Sequence, residues 1–201
     1  HGQTRTVALP DGSSATLAGN SAIKLGFDGG RRHVRLLRGE AFFDVRSGMS
    51  QPFTVEAGPA WARVVGTAFN VHRHGDRVQV AVEHGLVDVG GLPDSGSLRL
   101  SAGTAAEIVA GRTGATQAVD LAAITAWRNG RMVFYREDLA DVVSRLQEQR
   151  PGRIVVADAA LADRKVSGAF PAEDIDGTVT AIADTLGVKA MRITPWVTVL
   201  Y

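Results

Sequence analysis

The chain has 201 residues, 45% of them hydrophobic and 21% charged, enough apolar material for a core in one or two domains. With 22 Lys and Arg against 21 Asp and Glu the formal net charge is +1, so no field is set up to attract nucleic acid or an anionic membrane. Cysteine is absent, which excludes disulfides, thiolate catalysis and zinc–thiolate sites, and neither a membrane-length apolar run nor a signal-peptide pattern is present.

Residues 1–112 alternate short β-like runs with turn signals, the spacing of an all-β domain. TRTVAL is followed by the turn PDGS (10–13), AIKLGF by DGGR (28–31), and HVRLL by RGE (38–40). AFFDV, PFTVEA, WARVV and AFNVHR come next, then HGDR (74–77), VQVAV, EHG (83–85), LVDV, GGLPDSGS (90–97), SLRL and AAEIV. Val78, Val80 and Val82 alternate with Gln79, Ala81 and Glu83, one apolar face against one more polar face. A sandwich, a barrel and a short β-coil all satisfy this pattern.

Residues 113–130 read as linker and short helix, with GRTGATQAV (111–119) as the natural link. Asp120 is placed to cap DLAAITAWRNG, Leu121, Ile124 and Trp127 share a side, and Asn129-Gly130 ends it. Residues 131–201 carry an internal repeat. MVFYREDLADVVSRLQ superposes on VSGAFPAEDIDGTVTAIA, so that Phe134 falls on Phe170, Glu137 on Glu173, Asp138 on Asp174, Leu139 on Ile175, Val143 on Val179 and Leu146 on Ile182. Leu139, Val142, Val143 and Leu146 form one helical stripe; Ile175, Val179, Ile182 and Leu186 form the other, stopped by Gly187. MVFY, RIVVA, KVSGAF, VKAMRI and WVTVL read as strands around them. The expected class is therefore α+β: an all-β domain (sandwich or β-coil), then a duplicated βαβ-βαβ unit in which two helices cover one small sheet.

Candidate chemistry is sparse. Gly66-x5-His72-x-His74 matches the front half of the metal motif of cupin barrels, but the required glutamate would fall at 78 or 79, where Val78 and Gln79 stand, and no distal histidine follows His84. Phe69 and Val71 take the apolar face, which turns His72 and His74 toward water. His1 is left out of account, and His33 and His84 stand alone beside turns. No G-x-S-x-G, G-x-G-x-x-G or Walker-type loop occurs. The acidic pairs Glu137-Asp138 and Glu173-Asp174 are explained as first-turn helix residues, and Trp61, Trp127 and Trp196 as core or packing residues. No catalytic residue, metal site or cofactor is called for.

The residues resemble those of a family. VALPDGSSATLAGNSAI (7–23), RHVRLLRGEAFFDV (32–45), PFTVEA (52–57), VVGTAFNV (64–71) and VAVEHGLVDV (80–89) resemble, in order, the periplasmic part of FecR-family sigma factor regulators. AWRNGRMVF (126–134) resembles the junction that follows, and the repeat with KVSGAF resembles the small secretin and TonB short N-terminal (STN) domain. GPAWAR (58–63) is the least typical segment. Such regulators are single-pass inner-membrane anti-sigma factors, whose periplasmic part senses a TonB-dependent outer-membrane transducer carrying a siderophore or similar cargo. The resemblance implies that this chain is the periplasmic sensing half. The sigma factor would then be reached only through a cytoplasmic segment, and the membrane only through a helix, outside this sequence.

Two expectations follow for site residues. Docking of the transducer's N-terminal domain is expected on an open strand edge, either Lys165, Val166, Ser167, Gly168, Ala169 and Phe170, or Trp196, Val197, Thr198 and Val199; ordinary interior strands are the plain alternative. Some relatives cut themselves at a Gly-Thr such as Gly66-Thr67, the Thr hydroxyl attacking the preceding carbonyl; the plain alternative, favoured here, is a β-domain corner. The competing function class is an envelope carbohydrate- or polymer-binding module. An aromatic content of 6%, with no evident row of exposed rings, sets that class lower.

Overall fold

The structure, a computed structural model, describes residues 3–201; His1 lies outside them. It divides into two compact units, Thr4–Thr125 and Ala126–Tyr201.

In the first unit, β1 (Arg5–Ala8) and β2 (Ser14–Leu17) form a hairpin closed through Gly12 at φ 82°. β3 (Ala22–Gly26) lies antiparallel to β4 (Arg32–Asp44), one 13-residue strand that takes in both HVRLL and AFFDV. The expected turn at RGE is instead a corner inside β4. Before it Val34 and Leu36 point into the core; after it Ala41, Phe43 and Val45 do, a change of phase. Ala22 faces Arg38 while Ile23 faces Leu36, so Leu37 is the extra residue of a bulge that flips the faces. Gly39 follows at φ 79°, and a Cβ there would lie 2.4 Å from Ser21 Oγ, so the corner needs glycine.

The corner organises the unit. The first half of β4 pairs with β3 and, in parallel, with β5 (Phe53–Ala57). The second half pairs antiparallel with β2 and with β7 (Ala68–His74). The other strands are β6 (Ala60–Val64), β8 (Arg77–His84), β9 (Leu86–Gly90), β10 (Ser97–Ser101), β11 (Thr104–Val109), β12 (Arg112–Thr113) and β13 (Gln117–Ala118). They complete one 13-stranded sheet that bends about β4 and is nearly barrel-shaped. β3, β5, β6, β9 and β10 continue one half of it; β1, β2, β7, β8, β11, β12 and β13 continue the other. Phe43 on β4 is central to the core, with ring centroids 5.9 Å from Phe53 and 5.4 Å from Phe69. The segment 111–119, expected as a linker, carries β12 and β13, both antiparallel to β11. Asp120 caps α1 (Leu121–Ile124), accepting the Ala123 N–H at 3.2 Å; a 3-10 turn over Ala126–Asn129 and Gly130 at φ 70° then end the helical stretch.

The second unit runs β14 (Arg131–Asp138), α2 (Leu139–Glu148), β15 (Arg153–Val156), α3 (Ala159–Ala162), β16 (Lys165–Pro171), α4 (Ile175–Leu186), β17 (Ala190–Thr194) and β18 (Val197–Leu200). The two long helices begin at the matched positions Leu139 and Ile175, and Gly187 ends α4 in the left-handed conformation at φ 65°. Both stripes are buried, except for the half-buried Leu186, together with Met132, Phe134, Ile154, Val166 and Leu200. The expectation of one small sheet is corrected. β14 pairs antiparallel with β16 in a two-stranded sheet, while β15, β18 and β17 form a separate three-stranded sheet in that order. The two strands of each strand–helix–strand unit thus lie in different sheets, because the helix stripes pack against strands of both instead of crossing one.

Candidate interaction surface

The residues singled out in the β unit are occupied by structural work. Thr67 is buried, its hydroxyl donates to the Leu86 carbonyl at 2.9 Å, and its own carbonyl accepts the Val45 N–H at 3.0 Å. A Cβ on Gly66 would meet Ser47 Cβ at 2.4 Å and Cα at 2.7 Å. Gly66 is not among the positive-φ glycines, so close approach alone explains it. Gly85, at φ 87°, packs on the same corner: a Cβ there would lie 2.9 Å from Thr67 Oγ1. His72 is half-buried and His74 exposed, and no three metal-ligating side chains come together among the described residues.

Arg32 is buried in this unit and fully engaged. Nε donates to Asp11 at 2.8 Å, Nη1 to the Gln51 carbonyl at 3.1 Å and Nη2 to the Arg46 carbonyl at 3.0 Å, with the guanidinium 5.5 Å from the Phe53 ring centroid. Both side chains of the pair are almost wholly buried. Burial pushes the Asp11 carboxyl up, but the Ser13 N–H, the hydrogen bonds from Arg32 and Ser13 and the Arg32 charge outweigh it, and the net displacement is downward. One guanidinium thereby ties the β1–β2 turn, the start of β4 and the segment after it.

The outer face of the half-sheet carrying β5, β6, β9 and β10 is a charged ladder. Arg99 grips Asp88 in a bidentate pair at 2.7 and 3.0 Å, and that bond, with the nearby Arg63, holds Asp88 below the usual carboxylate range. Arg35 pairs with Glu56 at 3.0 Å. Trp61, expected as a core or packing residue, lies half-buried on this face, stacked under Arg63 at 5.3 Å and flat over Gly90, where a Cβ would meet the ring at 2.6 Å. Exposed sheet is here covered with paired charge.

The second unit presents a different surface. The candidate strand 196–200 is corrected: β18 is the middle strand, bonded to β15 on one side and β17 on the other, with Thr198 buried and Val197 and Val199 half-buried. It offers no open edge. Trp196, just before it, is 60% exposed and walls a cleft of about 310 Å³ in which Arg150 and Arg192 both clasp Asp176. The other candidate, β16, pairs only with β14. Val166 is buried and Gly168 and Phe170 half-buried, while Lys165, Ser167 and Ala169 are exposed. Lys165 is drawn to Asp138 at 2.8 Å, which leaves α2 without the side-chain cap that Asp174 supplies to α4. The sequence reading missed the most open element. All five residues of β17 are exposed, and Met191, Ile193, Val155 and Tyr201 are large apolar side chains in water. Met191 and Ile193 alternate with Arg192 and Thr194, a pattern that an ordinary half-buried strand shows equally well.

Residues 1–88 match the family described as FecR protein. Over 100% of its length the chain is similar to a candidate anti-sigma factor of Parabacteroides distasonis ATCC 8503, with 26% identity, a TM-score of 0.86 and 95% of that chain covered. A second crystal structure under the same description gives 25% identity and a TM-score of 0.84 over the same shares. Among curated proteins none matches this sequence.

Proposed function

We propose that this chain is the periplasmic, signal-receiving part of a FecR-like anti-sigma regulator, and that it docks the N-terminal signalling domain of a TonB-dependent outer-membrane transducer engaged in siderophore-linked iron uptake. The supporting observation is the joint one: a FecR match at the N-terminus and a whole-chain likeness to a candidate anti-sigma factor. Within that reading the β unit is the scaffold and the STN-like second unit supplies the docking surface, where the edge strand β17 is exposed along its whole length and Met191, Ile193, Val155 and Tyr201 gather on and beside its sheet. Regulation of the sigma factor passes through a cytoplasmic segment outside this sequence. Calorimetric titration of the purified chain with transducer signalling domains tests the reading; no heat of binding with any of several domains would overturn it.

Gly66-Thr67 is read as a corner and not a cleavage site, because the Thr67 hydroxyl is committed to Leu86 and Ser47 crowds Gly66. Intact-mass measurement should give a single species at 21.2 kDa, and two fragments splitting after Gly66 would reverse this. The carbohydrate-binding reading keeps one supporting observation, the half-exposed Trp61 lying flat on the sheet. Retention on glycan resins without binding to any transducer domain would favour it.

A further inference from the structure

We propose that β17 is the strand on which the partner docks, by adding one extended strand of its own to the open side of the β15–β18–β17 sheet. This rests on the docking function proposed above and names the backbone groups that perform it. Lys189 and Tyr201 exchange both backbone hydrogen bonds, at 2.9 and 3.0 Å. In an antiparallel pair such residues alternate with ones whose backbone groups point away. Met191, facing Val199, therefore bonds inward, while Ala190 and Arg192 direct their N–H and C=O groups to the open edge. The bulge between Arg192 and Thr194 ends this template.

The other edges of the unit are blunted. On β15 the outward Ile154 N–H is already taken by Gln147 Oε1 at 2.9 Å. On β14 the ladder breaks at Arg136, which sits at φ 51° with its N–H given to Ser167 Oγ. β16 ends at Pro171, which has no N–H to give. On β17 the bulge comes only after Arg192, so the outward groups of Ala190 and Arg192 lie in regular ladder before it.

Side chains specify what kind of strand fits. Val155, Val199 and Met191 stand in register as one row across the outer face, and a partner residue beside Met191 would extend it. Lys189 and Arg153 flank the row and take part in no ion pair among the described residues. The complement is a strand with an apolar residue opposite Met191 and a carboxylate toward Lys189.

Proline at an outward-facing position deletes a docking donor and leaves the internal ladder intact. Ala190→Pro should keep the circular dichroism spectrum and weaken binding of the transducer signalling domain about tenfold, the loss of one or two hydrogen bonds, whereas Ala169→Pro on β16 should change nothing. In the complex the Ala190 and Arg192 amides should gain protection from hydrogen exchange. If Ala190→Pro misfolds, Lys189→Glu, at an exposed side chain, should weaken binding in its place. Full affinity in a folded Ala190→Pro, or protection appearing at Ala169 instead, overturns β17 and leaves the docking function standing. A dimer of the unaltered chain that Ala190→Pro dissociates would assign the edge to a second copy and also overturn the proposal. Absence of binding by the unaltered chain removes the docking function itself, and this inference with it.

Discussion

The charged outer face of the β5–β6–β9–β10 half-sheet and the β15–β18–β17 sheet of the C-terminal unit treat exposed strand in opposite ways. On the first, exposed positions carry Arg35–Glu56 and Asp88–Arg99 pairs, and Trp61 shields Gly90. In the second, Met191, Ile193 and Trp196 are left in water on and beside a strand with an open edge. A saturated surface resists association, whereas unpaired backbone and bare apolar side chains invite it. The proposed docking function places the partner on the second of these surfaces.

The largest effect should come from the smaller core. Phe134→Ala removes a buried ring 6.0 Å from Phe170 and beneath Arg145, and should cost about 4 kcal/mol of stability. Urea denaturation followed by residue-resolved hydrogen exchange should show loss of protection in Ala126–Tyr201; equal loss in Thr4–Thr125 would break the two-unit division. Arg32→Ala strands the buried Asp11 carboxylate and should cost about 3 kcal/mol, read in the same way in the β unit. Gly66→Ala should cost about 2 kcal/mol because Ser47 backbone cannot retreat from the new methyl.

A smaller effect is acid sensitivity. The folded Asp11 carboxyl titrates below its ordinary value, so the Arg32 pair contributes in full above pH about 4 and is lost as pH falls through the lowered folded value. Acid titration should destabilise the β unit below about pH 4, and Asp11→Asn should reduce that dependence. The smallest effect is expected at the ladder. Arg99→Ala should leave the urea midpoint unmoved, since its pair with Asp88 is exposed. A clear shift there would mean that the charged face is part of the unit's stability and not merely its cover.

Much of the local structure was legible in the residues. Val78, Val80 and Val82 alternate into the core as their spacing requires, and the two helix stripes are buried where the repeat places them. Asp120 and Asp174 cap as their positions suggest. What escaped was long-range. RGE has the composition of a turn, yet the bulge at Leu37 that keeps β4 continuous depends on how β3 pairs beside it. WVTVL and AMRIT are both short β-like runs, and nothing in either says which lies in the middle.

The amino-acid order by itself determined most of the strands, the two long helices with their apolar stripes and the likeness to FecR proteins, because alternation, helical spacing, caps and glycines act over a few residues. Only the tertiary structure decided the division of the C-terminal strands into two sheets, the central place of β18 and the open edge at β17. Strand pairing is a contest between distant segments with similar hydrogen-bonding groups, and it is settled by which arrangement buries both helix stripes at once.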